Sequence, residues 1–293
     1  MIEIRDLTHT LGKKTVLRDI CLCVPDNTVL GIVGINGAGK STLLRLLAGV
    51  YLPDAGSIRY DGRSPADAAT RQDIFFLPDD PYDTPRMTPN RLFDFYKCFY
   101  PSIDRATYDR LLDAYKLDRR GRMRNFSKGM RRQVFIALAL SVKPRYLLLD
   151  EAFDGLDPLS RRIFKDAIIS LVEQEQTTVL IASHSLRELE DFCDRFILID
   201  DNVIKSQGDI VAHVGRLCKF ELAFTEEVSE ELFRSLPTVS LTVKGRFAQI
   251  VLEGDGEAMR ERLSALSPAV MDEMPLDFEE TFIHDVRKEG MTV

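Results

Sequence analysis

Gly34-Ile35-Asn36-Gly37-Ala38-Gly39-Lys40-Ser41 is the stretch on which the reading of the whole chain turns. It matches G-x-x-x-x-G-K-[ST] at every fixed position. Residues 28–33 before it are short and apolar, and residues 40–48 after it place Leu43, Leu44 and Leu47 at helical spacing. A strand, a glycine-rich turn and a helix in that order aim backbone N–H groups and a positive helix end at one anion. The stretch therefore reads as a phosphate cradle. Lys40 would reach the β- and γ-phosphates, and the Ser41 hydroxyl would ligate Mg²⁺. The candidate nucleotide contacts here are Gly34, Asn36, Gly37, Ala38, Gly39, Lys40, Ser41 and Thr42.

Outward from this loop, the first 210 residues alternate between strand and helix patterns. Strands are predicted over 2–7, 16–24, 28–33, 57–60, 74–77, 145–149, 179–183, 196–199 and 203–206. Helices are predicted over 40–48, 89–100, 104–115, 129–142 and 159–175. Short apolar strands alternating with helices imply an α/β domain whose mostly parallel sheet is covered on both faces. Asp201-Asn202 reads as a hairpin turn.

A second chemical signal follows. Tyr146-Leu147-Leu148-Leu149-Asp150-Glu151 is an apolar strand that ends in two carboxylates. A strand end beside a phosphate loop is where a metal-holding aspartate belongs. Asp150 would take Mg²⁺ through water, and Glu151 would polarise the attacking water.

With these motifs in place the chain resembles the ATP-binding subunits of ABC transporters. Phe126-Ser127-Lys128-Gly129-Met130 is similar to the family signature, and Gly155-Leu156-Asp157-Pro158 resembles its D-loop. His184, just after a predicted strand, matches the switch histidine. The resemblance covers residues 1–210. It implies a P-loop NTPase sheet with an inserted helical subdomain at about 85–142, and ATP and Mg²⁺ as cofactors. It also implies two nucleotide-binding subunits, as a homodimer, packed head to tail. Each site would then be closed by Ser127, Lys128 and Gly129 of the other copy. Glu151, His184 and Lys40 take the catalytic roles in this reading, and Asp157 links the two sites. A separately encoded multi-span permease is the expected partner. The expected place is the cytoplasmic face of the cell membrane, with no nucleic acid bound.

Three positions depart from the family pattern. Asp79, after Leu77-Pro78, stands where the family carries a glutamine. It is expected near the γ-phosphate among the nucleotide contacts, and as a metal ligand together with Ser41 and Asp150. The signature carries Lys128 for a glycine and Met130 for a glutamine. Asp79 and Lys128 form a candidate charge pair across a closed dimer. Leu11 stands where an adenine-stacking aromatic is usual, with His9 nearby. The Leu-Pro-Asp and Ser-Lys-Gly-Met forms resemble bacterial exporter ATPases encoded with antibiotic- or peptide-efflux permeases.

Composition limits the alternatives. Over 293 residues the net charge is −7, which argues against a general nucleic-acid coat. No apolar run approaches the roughly 20 residues a membrane span needs, and the N-terminus lacks a signal-peptide pattern. Five cysteines without a CxxC pair read as reduced thiols. A class acting on ribosomes or DNA competes with transport. The single phosphate loop and the lack of sustained heptads between Ser41 and Asp150 argue against it. A nucleotide switch without hydrolysis is opposed by Glu151 and His184. Residues 92–100 carry an aromatic stripe that reads as subdomain core or as a groove for the membrane subunit. The arginine-rich run 119–132 reads as a solvated face, or as lying near partner-site phosphate or the membrane subunit. Residues 215–293 read as a small α+β domain of order βαββαβ plus a helix, which fits a ferredoxin-like unit. Its helices are predicted over 227–236, 257–266 and 278–288. Its expected role is regulatory or dimer-stabilising.

Overall fold

The computed structural model describes residues 1–282. Its first unit, Met1–Gln207, is built on two sheets. Strands β1 (Ile2–Leu11), β2 (Lys14–Val24) and β4 (Ala55–Tyr60) form an antiparallel sheet in the order β2-β1-β4. Between β2 and β4 in sequence lie β3 (Val29–Val33) and α1 (Lys40–Leu47). After β4 come α2 (Ala68–Gln72), β5 (Ile74–Leu77), α3 (Pro89–Lys97), α4 (Arg105–Ala114), α5 (Lys128–Val142) and β6 (Tyr146–Asp150). They are followed by α6 (Pro158–Glu175), β7 (Thr178–Ser183), α7 (Leu186–Glu190), β8 (Arg195–Asp200) and β9 (Val203–Asp209). The second sheet has the order β5-β6-β7-β3-β8-β9, with β5 through β8 in parallel pairing. Strands β3, β6 and β7 are buried at every position, as a sheet covered on both faces requires.

The two sheets share one core through α1. Its Leu43, Leu44, Leu46 and Leu47 are fully buried. They belong to a cluster that takes Ile2, Leu7 and Ile20 from the first sheet and Ile32, Leu148 and Ile197 from the second. Each such leucine contributes about 2 kcal/mol through burial, so four of them anchor the helix. The phosphate loop is therefore attached to a helix anchored in the core that the two sheets share. The predicted split between strand and helix holds throughout this unit. The sequence pattern did not separate the antiparallel sheet from the parallel one, and the five-residue helices α2 and α7 were too short to show a period. At the β8–β9 turn, Asp201 and Asn202 both have positive φ, as the predicted hairpin turn requires.

In the helical subdomain the aromatic stripe divides between faces. Leu92 and Phe93 are buried, and Tyr100 donates its hydroxyl to the Ile74 carbonyl at 2.9 Å. Phe95 and Phe99 stay exposed.

The second unit begins at Gly208. It holds α8 (Ile210–Val214), β10 (Leu217–Ala223), β11 (Thr238–Lys244), β12 (Phe247–Glu253), α9 (Gly256–Ser264) and β13 (Val270–Met274). Its sheet has the order β11-β12-β10-β13, with every neighbouring pair antiparallel. Phe220, Phe233, Ile250, Leu252 and Leu263 fill its core. The helix predicted over 227–236 is absent, and only a 3₁₀ turn forms at Glu230–Phe233. Glu227 repels Glu230 and Glu231 at helical spacing, and Pro237 follows, so a longer helix loses there. The helix predicted over 278–288 extends beyond the described residues.

Asp104 caps α4. Its carboxylate accepts from the Ala106 N–H at 2.9 Å, the Thr107 N–H at 3.2 Å and the Thr107 hydroxyl at 2.8 Å. The Thr107 hydroxyl bond is the largest cause that holds its pKa below the ordinary value, with the backbone bonds and Lys143 adding to it. A lowered folded pKa contributes stability above the unfolded value, and that stability is lost as pH falls through the folded value. Asp104→Ala is expected to cost about 1 kcal/mol at pH 7 by urea unfolding. The difference from the native chain should shrink steadily as pH drops below about 4. An unchanged difference at pH 3 would contradict the assigned cap.

Candidate nucleotide site

The site forms where the carboxyl ends of β3, β6 and β7 meet the start of α1. Gly39 takes φ of +110° just before the helix. A Cβ there would lie 2.9 Å from the Val16 carbonyl, so the loop can turn only with glycine. The Lys40 ammonium is buried and donates to the Gly34 carbonyl at 2.6 Å. It lies 3.6 Å from a Glu151 carboxylate oxygen. Ser41 donates its hydroxyl to Asp150 Oδ1 at 2.9 Å.

Asp150 ends β6 with no exposed surface. Its Oδ2 is buried and has no hydrogen-bond partner. Burial pushes its pKa up, and the Ser41 hydroxyl works against that shift. A buried carboxylate oxygen left unpaired costs about 1–3 kcal/mol. A hard cation would remove that cost, and a hydroxyl beside a carboxylate is a donor set that suits Mg²⁺. These two residues therefore fit the metal expected from the sequence.

Glu151, next along the chain, has φ of +46°. Left-handed backbone is uncommon for glutamate and costs about 1–3 kcal/mol. The conformation is held by its N–H, which donates to the Ala182 carbonyl at 3.0 Å. Glu151 Oε2 accepts from the His184 N–H at 3.3 Å and lies 2.9 Å from His184 Nδ1. Asp154 joins them. One donor atom from each of Glu151, Asp154 and His184 lies within 4.8 Å of the others. Sequence reasoning passed over Asp154, which carries no motif position of its own.

The run 119–132 also offered Arg132 to a solvated face, and the structure corrects that, because carbonyls and a carboxylate inside the fold take its guanidinium. Arg132 is 3% exposed, on α5. Its guanidinium donates to the Pro78 carbonyl at 2.9 Å, the Asp79 carbonyl at 2.5 Å, Asp79 Oδ1 at 2.8 Å and the Glu151 carbonyl at 3.2 Å. One buried cation thus ties the Asp79 loop to the strained residue Glu151. Burial lowers the Arg132 pKa, while Asp79 and Asp154 oppose that. Asp79 therefore has a charge partner within its own chain. That partner is Arg132, at 2.8 Å from Asp79 Oδ1. Asp79 is also outside the donor trio of Glu151, Asp154 and His184.

The signature segment forms the start of α5. Ser127 caps it and accepts from the Met130 N–H at 3.1 Å. Gly129 lies against the Gly155 carbonyl, where a Cβ would overlap that oxygen. Among the described residues no hydrogen bond joins Ser127, Lys128 or Gly129 to the phosphate loop. Asp157 caps α6, accepting from the Ser160 N–H at 3.0 Å and the Ser160 hydroxyl at 2.6 Å. Those bonds, the hydroxyl's foremost, lower its pKa. Leu11 is exposed, whereas His9 is buried and stacked on Tyr51 at 5.5 Å.

The family model described as "ABC transporter" matches residues 17–154. The chain is similar to the ABC transporter ATP-binding protein YtrB of Bacillus subtilis, at 28% identity over 97% of both chains. That match runs through the second unit. It is also similar to the ABC transporter ATP-binding protein NatA of Bacillus subtilis, at 36% identity over 71% of this chain and 89% of NatA. Among solved structures, the ATP-binding subunit of an ABC transporter aligns with a TM-score of 0.67 and 27% identity. It covers 73% of this chain and 91% of the other.

The Arg132–Asp79 contact sets an expectation for turnover. Arg132→Gln should lower the ATP turnover rate by about tenfold or more, since it leaves a carboxylate and three carbonyls short of a donor. In a cycle with Asp79→Asn, the two effects on turnover should be non-additive by about 1 kcal/mol or more. Circular dichroism of each variant separates misfolding from loss of positioning. Additive effects would separate the two residues functionally.

Proposed function

The chain belongs to the ATP-binding proteins of ABC transporters and is an ATPase, and we propose that it drives export through a separate permease by closing with a second copy around ATP. The observation that carries this is the meeting of Lys40, Ser41, Asp150, Glu151 and His184 at one sheet edge, with Ser127 capping a separate helix. One chain supplies one phosphate loop and one signature. A complete site with both parts on the γ-phosphate therefore calls for two copies, placed head to tail. Each copy would turn the α5 N-terminus, with the N–H groups around Gly129, toward the other's ATP. The export direction is supported by the Ser-Lys-Gly-Met signature and the Leu-Pro-Asp segment.

In this reading Lys40 leaves the Gly34 carbonyl to hold the β- and γ-phosphates. Ser41 and Asp150 would hold Mg²⁺, whose charge offsets that of the phosphates. Glu151 orients a water and accepts its proton as the oxygen attacks the γ-phosphorus. The bond from the γ-phosphorus to the bridging oxygen breaks, and ADP carries the electron pair away. His184, already bonded to Glu151, fixes the carboxylate's direction and faces the transferring phosphoryl group. Arg132 keeps Glu151 and the Asp79 loop in register, so Asp79 acts through position. The second unit is read as regulatory or dimer-stabilising, and truncation at Gly215 that left both dimer formation and turnover intact would remove that role.

Glu151→Gln should reduce phosphate release by about 10²- to 10⁴-fold while ATP still binds. Equal turnover in the variant would remove Glu151 from the chemistry. Affinity purification of the native chain from solubilised membranes should bring down a stoichiometric multi-span protein. Recovery with ribosomal or DNA-associated partners instead would overturn the transport reading and leave the ATPase standing.

A further inference from the structure

His184 sits on a short turn between β7 and α7, and its bonds to Glu151 are not all that holds it. The Ser183 hydroxyl, one residue before it, accepts from the Ser185 N–H, one residue after it, at 3.0 Å. The same hydroxyl donates to Glu188 Oε2 at 3.0 Å. A hydroxyl has one proton to give. Giving it to Glu188 leaves the Ser183 lone pairs for the Ser185 N–H. The carboxylate therefore sets the polarity of the brace that spans His184.

Glu188 is on α7, and its side chain is 12% exposed. Its other oxygen, Oε1, accepts from the Arg161 guanidinium. Arg161 is on α6, and its Nε donates to the Leu156 carbonyl at 3.1 Å. Leu156 follows Gly155, whose carbonyl lies against Gly129 at the start of α5. Two side chains on different helices thus join the segment beside the signature to the turn that carries His184. Among the described residues, neither Arg161 nor Glu188 hydrogen-bonds Glu151 or His184 itself.

The residue types fit that task. Both neighbours of Glu188 are donors, so the group between them must only accept. A glutamine of the same shape would turn an NH₂ on one of them. The guanidinium fork lets Arg161 serve a carbonyl and a carboxylate at once, which a single lysine ammonium does less well. An exposed ion pair contributes little. This one has a largely buried carboxylate, and its hydrogen bonds lead to backbone at both ends, the Leu156 carbonyl and the Ser185 N–H. What it fixes is small and exact in place. The His184 N–H and Nδ1 both meet Glu151 Oε2, at 3.3 and 2.9 Å. Misplacing a reacting group by about 1 Å costs on the order of 10²-fold in rate.

We propose that Glu188 is a positioning residue for ATP hydrolysis: held by Arg161 on the Leu156 carbonyl, it locks the Ser183–Ser185 turn and so aims His184. The proposal rests on the role given to His184 above. It makes the direction of His184 depend on the place of the Gly155–Pro158 segment.

The test measures kcat and KM for ATP in the full-length chain, with single-turnover phosphate release for slow variants. Glu188→Gln should lower kcat about tenfold or more and leave KM within about twofold, since the phosphate loop is untouched. The deciding readout is the same substitution made on His184→Gln. A residue that acts through His184 adds nothing there, so the double variant should match His184→Gln alone. A merely structural role lowers kcat by the same factor in both backgrounds, and that result overturns the proposal. Native kcat in Glu188→Gln beside an impaired His184→Gln also overturns it, while the histidine keeps its role. Native kcat in His184→Gln removes that role, and the proposal fails with it. Arg161→Lys carries the same test if Glu188→Gln unfolds: it should lower kcat in the native background and add nothing on His184→Gln, and an equal loss in both overturns the proposal.

Discussion

The parallel register of β3, β7 and β6 is the constraint on which the site depends. Val33 pairs with Ser183, and Ala182 pairs with Asp150, so three strands end at one edge in step. There the phosphate loop leaves β3, Glu151 follows β6, and His184 follows β7. Side chains alternate between faces along a strand. A slip of one residue in β6 would therefore turn Asp150 away from Ser41 and break the 2.9 Å bond between them. The register is held from both sides, because all three strands are buried at every position. Hydrophobic packing thus sets the relative place of groups that carry charge.

That packing also holds polar groups in costly states. Asp150 keeps a carboxylate oxygen buried without a partner, Glu151 keeps left-handed backbone, and Lys40 is buried on its own loop's carbonyl. The unpaired Asp150 oxygen and the left-handed Glu151 backbone are unfavourable locally, and the packed strands around them sustain both. Arg132 belongs to the same design. It crosses from α5 to the Asp79 loop and to the Glu151 backbone, so helical subdomain and strand end share one buried cation.

The helical subdomain is where departures from the family pattern acquire a reason. A carboxylate at position 79 would add repulsion near phosphate if it stood free. It does not stand free, since Arg132 binds both its backbone and its side chain. The two positions lie in different motifs and approach only after folding. Gly129 and Gly155 show the same kind of dependence, because one glycine must lack a Cβ so that the other's carbonyl can come close.

The amino-acid sequence by itself determined the α/β class, the phosphate loop, the paired carboxylates after β6 and the histidine after β7. Those features are local. Each lies within a run of residues whose spacing carries its own chemistry, and short apolar runs beside glycine or charge are readable in one dimension. Tertiary structure alone decided the partner of Asp79 and the membership of Asp154 in the site. It also decided that residues 227–236 form a 3₁₀ turn where a helix was predicted, because repulsion among glutamates outweighed an apolar period of only a few residues. Contacts between residues far apart in sequence leave no spacing to read, so only the packed chain could assign them.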